Sequence, residues 1–385
     1  GTAIVAVVTA DGVRHTDPAI LAQQQAAAYQ HFGEFGDFGG YNPPLHSNRN
    51  GFGGVESPLS SEFDALLPNR RILVWQGMTA ADLFTPRNLS AVRLLRDALP
   101  EAMPALHALY SAALAGMSRL IAYRDGLRGG GPAWSVPGFW VAPVHVEHHP
   151  LPLLESWARR YRKGIERLWD RMGDQPPATV ITAPAQTALA DLARSDRRYD
   201  LVFLDPPYGD SVPYLEFSAL WNSLLDRSPD YDQEVVVSDR TAQPAGWEVY
   251  AARLDAIVGA SVGLLKPGGR VLVTFNNLDG RAWEALLTAL HRAGLRCESA
   301  HYVAPAVVSA KAQFAPDGSY HGDFWCVFQP GTRPDVPESQ WAAIIAAALP
   351  ADVTDPQRRR RLALRAILTA NLPAEAVTQL DQIAD

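Results

Sequence analysis

From residue 178 onward the chain alternates short apolar runs with segments of helical character, and this alternation limits the fold more than any other feature of the sequence. Thr179–Thr182, Leu201–Leu204, Arg270–Phe275, Arg296–Tyr302 and Phe324–Phe328 read as strands. Gln186–Ala193, residues 213–226, residues 247–265 and Ala282–Ala293 read as the helices between them. Strands that are apolar throughout imply a parallel sheet covered on both faces. The last two are expected to pair antiparallel at an edge. The expected class is α/β, a doubly wound sheet with an antiparallel edge hairpin and helical additions.

Upstream the pattern is less regular. Ile4–Val8 reads as a strand, Asp11-Gly12 as a hairpin turn, and residues 17–29 as a short helix opened by Asp17-Pro18. Residues 33–54 have the Gly/Pro/aromatic composition of a loop. Arg71–Trp75 reads as a strand. Thr85 caps a helical region that runs with breaks to about Tyr123, and Leu151–Met172 is a further helix. After Pro334 the chain reads as helices. These shifts divide it into an irregular region (1–70), a mostly helical insertion (71–177), a catalytic unit (178–332) and a helical extension (333–385).

Composition narrows the chemistry. With a net charge of −7 over 385 residues, nucleic acid would have to be met by a local basic patch. Two cysteines, Cys297 and Cys326, exclude a disulfide framework and an all-cysteine metal site. No apolar run approaches the ~20 residues that span a bilayer, and the first residues lack a basic n-region and cleavage site, so a cytoplasmic protein is expected. The chain starts without methionine, which suggests a start inside a longer protein.

The sharpest chemical signal is Asp205-Pro206-Pro207-Tyr208, directly after the apolar run Leu201–Leu204. In an open α/β sheet, ligands bind beyond the carboxyl ends of strands, where this tetrapeptide falls. An exocyclic amine on a base is a poor nucleophile because its lone pair is delocalised into the ring. The Asp205 carboxylate and the Pro206 carbonyl would accept its two hydrogens and localise that pair. The second proline, Pro207, helps fix φ and pre-position the acceptors. Tyr208 offers a flat face for a base flipped from its duplex.

Tyr199–Tyr208 resembles the catalytic motif of S-adenosyl-L-methionine-dependent DNA amino-methyltransferases, which modify N6 of adenine or N4 of cytosine. Gly263–Phe275, with its Lys266-Pro267-Gly268-Gly269 turn, resembles the helix-turn-strand that comes next in that family. The likeness covers about residues 178–329, with weaker similarity to large bacterial adenine-specific methylases at Phe84–Arg87 and Pro137–Trp140. It implies a Rossmann-like methyltransferase sheet, base flipping, and DNA methylation of the restriction–modification kind, with adenine N6 favoured and cytosine N4 open. Asp205, Pro206, Pro207 and Tyr208 would then be catalytic, and Asp205, Tyr208 and Asn276 would face the cofactor. A catalytically silent DNA-recognition subunit and an RNA amine methyltransferase are the alternative readings.

The chain departs from the family at two points. No convincing glycine-rich cofactor loop follows an apolar strand: Phe35–Gly40 has the composition but no strand before it, and Asn42-Pro43-Pro44-Leu45 reads as a turn. After Thr179–Thr182, Ala183-Pro184-Ala185 stands where the family often has an acidic residue. Either a second polypeptide or an N-terminal segment missing from this chain carries the glycine-rich loop, the expectation favoured by the intact tetrapeptide, or the cofactor pocket has degenerated.

The remaining candidates concern the substrate. Arg159, Arg160 and Arg162, with Lys163, would contact DNA phosphates or form a solvated helix face. Lys311, with Ser309 and Phe314, falls where a substrate-facing loop is expected. Trp134, Phe139 and Trp140 would wedge into DNA or pack on the core. Asn277, beside Asn276, lies on the ligand side of the sheet or simply enters the next helix. His145, Glu147, His148 and His149 match no metal-ligand spacing, so no metal is expected. Arg358–Arg361 reads as an exposed helix face, and Phe324 and Trp325 as core.

Overall fold

The computed structural model describes residues 4–7, 66, 72–73, 75, 77–121, 139–141, 144–146, 148–172, 179–225, 227–240, 244–305 and 322–383. In chain order these form β1 (Ile4–Val7), β2 (Ile72–Leu73), α1 (Pro86–Asp97), α2 (Pro104–Leu114), β3 (Phe139–Trp140), α3 (Pro150–Met172), β4 (Thr179–Thr182), α4 (Ala185–Ala193) and β5 (Tyr199–Leu204). Next come α5 (Tyr214–Phe217), α6 (Ala219–Leu224), α7 (Trp247–Val262), β6 (Leu265–Phe275), α8 (Gly280–Arg292), β7 (Leu295–Val303), β8 (Asp323–Pro330), α9 (Glu338–Ala347) and α10 (Pro356–Thr369). A 3-10 helix, Ala374–Leu380, closes the described chain. Asp11-Gly12, residues 17–29, Phe35–Gly40, Asn42–Leu45, Trp134, Ser309, Lys311 and Phe314 lie outside the described residues.

Local chemistry sets the helix starts. The Thr85 hydroxyl accepts from the Asn88 amide at 3.3 Å with Pro86 in the first turn. Asp279 caps α8 by accepting from the Arg281 amide at 2.9 Å, and Asp355 caps α10 through Gln357 at 3.0 Å.

The main sheet is mixed, in the order β5-β6-β8-β7. β5 and β6 run parallel, with Leu204 opposite Val273. β8 is antiparallel to both its neighbours, so β7 and β8 form the expected edge pair. The expectation of a parallel sheet covered on both faces needs correction. Val271, Val273, Phe275, Phe324, Cys326 and Phe328 are buried under α7, α8 and the C-terminal helices. The opposite face is open, leaving Leu201 55%, Phe203 53% and Trp325 41% exposed. The described helices cover one face only, so Leu201 and Phe203 of the end strand and Trp325 of the interior strand β8 stay exposed on the other. Trp325 thus faces outward, while Phe324 is core. β4 is not in this sheet; it pairs antiparallel with β1 in a separate ribbon.

The Lys266–Gly269 turn lies inside β6 rather than before it. Pairing with β5 begins at Tyr199 and Leu265, breaks, and resumes at Leu201 and Arg270. A Cβ on Gly269 would come 2.9 Å from the Lys266 carbonyl oxygen, so only glycine fits the loop-out.

A second hydrophobic cluster joins Met78, Leu83, Leu95, Tyr110 and Leu114 to Leu154 of α3 and to Leu220 and Leu224 of α6. The short helix α6 therefore belongs to the helical core, and the Trp221 indole donates to the Ser111 carbonyl at 2.8 Å. The segment after β5 is stretched between the two cores.

The Arg358–Arg361 run is not a solvated face. Arg360 donates to the Leu278 carbonyl at 2.7 Å and to Asp381 at 2.9 Å, and Arg361 lies 4.5 Å over the Tyr302 ring. These contacts tie α10 to the sheet layer, while Arg358 stays exposed. Asn371 adds a second tie, at φ 54. Its side-chain oxygen accepts from the Cys297 amide at 2.5 Å and its amide donates to the Cys297 carbonyl at 3.0 Å. Asn371→Ala removes both bonds, orphans a buried backbone N–H and places an alanine in the left-handed region. Urea unfolding is expected to register a loss of about 2–4 kcal/mol.

Candidate active site

The β5–β6 register determines the site. Because Leu204 lies opposite Val273, the chain leaves β5 with Asp205 beside Thr274, the buried polar residue of an otherwise apolar strand end. The Thr274 hydroxyl donates to Asp205 Oδ1 at 2.8 Å. The Tyr208 hydroxyl donates to the same oxygen at 3.1 Å. Asp205 itself is exposed, and its Oδ2 has no hydrogen-bond partner among the described residues. One carboxylate oxygen is held and the other is presented.

The backbone of the tetrapeptide is held in the same selective way. The Pro207 carbonyl accepts from the Tyr250 hydroxyl at 2.7 Å and the Gly209 amide at 2.9 Å. The Tyr208 carbonyl accepts from the Asn277 amide at 2.8 Å and the Ser211 amide at 3.2 Å. The Gly209 carbonyl accepts from the Val237 amide at 3.1 Å. The Pro206 carbonyl, before these three, takes no hydrogen bond from the described residues. Gly209 has φ +61, and a Cβ there would lie 2.8 Å from the Trp247 ring. This is the point where the turn requires glycine.

Tyr208 packs edge-on to Phe275 at 5.2 Å. Burial, then the Asp205 and Asp323 carboxylates, hold its phenol above the ordinary range. Tyr214 is raised by burial and by Asp205 and Glu234. The carboxylate in contact with the Tyr208 phenol is Asp205, a group suited to a cationic or hydrogen-donating ligand.

Beneath the loop lies a buried ionic group. Arg240 Nη1 stands 3.0 Å from Glu234 Oε2 and 3.6 Å from Glu216 Oε1, all three side chains being almost fully buried. The Ser238 hydroxyl donates to Glu216, the Leu215 amide donates to Glu234 at 2.9 Å, and Arg253 donates to the Glu234 carbonyl. Arg240 also lies 4.5 Å over the Tyr231 ring. Burial raises Glu234, while the Leu215 amide and Arg240 counter it. The group joins α5, which follows the tetrapeptide, to residues 231–240.

Asn276 is near the rim, its amide donating to the Gly322 carbonyl at 2.9 Å. Asn277 both holds the Tyr208 carbonyl and accepts from the Asp279 amide at 2.8 Å at the entry to α8. Arg159, Arg160 and Arg162 all lie on α3, away from the tetrapeptide in sequence and exposed. Of the histidine cluster, His148 receives the Asn88 amide on its carbonyl at 2.9 Å, and His149 accepts from the Leu151 amide. No group of three or more His, Cys, Asp or Glu among the described residues is placed to hold a metal. No helix of the described residues is long and apolar enough to cross a membrane. The sequence reading missed Thr274, Tyr250 and Asp323. Thr274 left a signal, as the one hydroxyl in Val271–Phe275.

No family model and no curated protein matches the chain. A crystal structure from Thermus thermophilus, of a protein named as a DNA modification methylase, aligns with 15% identity. The alignment covers 46% of this chain and 61% of that one, at a TM-score of 0.22. A likeness of that size assigns neither fold nor activity, so the functional reading rests on the chemistry of the site itself.

Two outcomes test this geometry. A neutral Tyr208 phenol contributes fully to stability below its unfolded pKa of ~10, and the contribution is lost as pH rises through the folded value. Asp205→Asn removes one of the carboxylates that disfavour the phenolate, so the Tyr208 midpoint moves down toward the ordinary value. NMR titration with labelled tyrosine measures it, and an unmoved midpoint would contradict the contact. Arg240→Met strands two buried carboxylates and is expected to cost about 3–5 kcal/mol in denaturant unfolding.

Proposed function

We propose that the chain carries the amine-activating half of an S-adenosyl-L-methionine-dependent methyltransferase acting on the exocyclic amine of a flipped base in DNA. The observation that supports this most directly is the pair of unclaimed acceptors at the sheet rim, Asp205 Oδ2 and the Pro206 carbonyl. An aromatic amine has two N–H donors, and two fixed acceptors draw them out of conjugation with the ring. Thr274 and Tyr208 keep the carboxylate in one orientation, and Pro206-Pro207 keeps the carbonyl beside it. Tyr208 borders the space with its ring. Adenine N6 is the favoured target; cytosine N4 presents the same donors.

The cofactor side fits the same residues. A sulfonium is a cation, and the Asp205 carboxylate beside Tyr208 suits one, with Asn276 at the adjoining strand end. When bound, S-adenosyl-L-methionine supplies a methyl group that the amine nitrogen takes up as the carbon–sulfur bond breaks, leaving S-adenosylhomocysteine. Asp205 Oδ2 is placed to receive the proton that the amine gives up and to pass it to water. The outer edge of β5 pairs with no described strand, and Leu201 and Phe203 are uncovered beside it. Both features support the reading that a further strand with the glycine-rich cofactor loop comes from a second polypeptide or an N-terminal segment.

The test is transfer of tritiated methyl to DNA, tRNA and rRNA by the chain, alone and with the segment or polypeptide that carries that loop. DNA is the expected acceptor, and Asp205→Ala is expected to lower the rate by about 10²–10³-fold with folding intact. A variant that keeps most of its activity would overturn the mechanism. Absence of both transfer and calorimetric binding of S-adenosyl-L-methionine, with the partner present, would favour the silent recognition subunit.

A further inference from the structure

The helix α3 has two unlike halves. Leu154 is buried in the helical core and Trp157 and Ala158 pack against it. Beyond Ala158, every residue from 159 to 171 except Ile165 is exposed. At ~100° per residue, Tyr161, Ile165, Leu168 and Trp169 continue the side of the helix that Leu154 faces. Arg159, Arg160, Lys163, Arg167 and Arg171 fall on the other side, within an arc of ~120° that also holds Asp170.

This arc differs from the run of cations adjacent in sequence. Arg162 turns away from it and stands 3.6 Å from Glu166, one turn on. Arg159 reaches Glu155 at 3.8 Å, and Arg160 lies 5.5 Å over the Trp157 ring. Lys163, Arg167 and Arg171 have no ion-pair partner among the described residues. From Arg159 to Arg171 the cations extend over ~18 Å of helix.

We propose that this arc is a binding surface for the phosphate backbone of a nucleic acid, with Arg167 and Arg171 as members and Arg162 outside it. A ridge ~18 Å long with five cations and one carboxylate, Asp170, matches a row of phosphates, whose attraction is set by counterion release. An anionic membrane is the less suited partner. An interfacial helix inserts a continuous apolar side, and here the first part of that side, Leu154, Trp157 and Ala158, is held against the helical core, with Tyr161, Leu168 and Trp169 exposed beyond it. The cations point the other way. The assignment deepens the proposed action on nucleic acid without depending on the chemistry of Asp205.

The experiment is fluorescence anisotropy of labelled DNA and RNA duplexes with the full chain, across a salt series. Arg167→Ala with Arg171→Ala is expected to weaken binding about tenfold and to reduce the slope of log K against log salt by about 2. Arg162→Ala is expected to change affinity less than twofold. All three positions are exposed, and circular dichroism checks that the helix survives. Stronger binding of one duplex type identifies the source of the phosphates and supports the assignment. A double variant with unchanged slope overturns it, as does a wild-type chain that binds neither duplex, or one that binds only phosphatidylserine vesicles. Asp205→Ala separates the two readings. If it binds like the wild type while the helix variant does not, the ridge stands whatever becomes of methyl transfer. If methyl transfer survives in the helix variant with binding unchanged, the ridge falls alone.

Discussion

The parallel pairing of Tyr199–Leu204 with Leu265–Phe275 governs the rest of the site, because it delivers the Thr274 hydroxyl to Asp205. A carboxylate at the end of a strand has two equivalent oxygens and a free torsion. Two donors converging on Oδ1 remove that freedom and make the oxygens unequal. The backbone obeys the same rule. Tyr250, Asn277 and the amides of Gly209, Ser211 and Val237 occupy the carbonyls of Pro207, Tyr208 and Gly209, and pass over Pro206. Asp205 Oδ2 and the Pro206 carbonyl, left free of the described residues at an accessible rim, are open to a donor from outside.

The loop is stiff because its two ends belong to different cores. At one end β5 packs beside β6; at the other, Leu220 and Leu224 are embedded among α1, α2 and the segment Met78–Phe84. Between them Glu216, Glu234 and Arg240 form a buried ion group with one cation for two carboxylates. Such a group adds little net stability over an apolar filling. Its value here is geometric: it fixes where α5 sits, and α5 carries Tyr214 toward Asp205. Catalytic preorganisation of the kind proposed requires that rigidity, since acceptors that moved with the amine would not localise its lone pair.

Much of the fold was legible in the sequence because it rests on local patterns. Thr85-Pro86 marked a helix start, and the last two strands were expected to pair antiparallel at an edge. The Asp205–Tyr208 tetrapeptide was visible because prolines after an apolar run are conspicuous. What failed to show was whatever depends on contacts across the chain. Nothing in Leu201–Phe203 distinguishes a strand covered on both faces from one covered on a single face. Arg358–Arg361 reads as a solvated run until Tyr302, Leu278 and Asp381 are seen beside it. Thr274 acquires meaning only from the register, and the run Arg159–Lys163 looks like a unit until helical geometry sends Arg162 elsewhere.

The two surfaces left open have opposite physics. The outer edge of β5, with Leu201 and Phe203, offers backbone hydrogen bonds and apolar area, an attraction of short range that salt does not weaken. The ridge of α3 offers unpaired positive charge, which acts over a Debye length of ~10 Å at 0.1 M salt and fades above it. A protein that must hold one component permanently and release another after each event needs this division. The strand edge suits a constant structural partner that completes the site. The charged ridge suits a polymer that is engaged, scanned and let go. Ionic strength therefore separates the two attachments, and loss of the second on raising salt need not disturb the first.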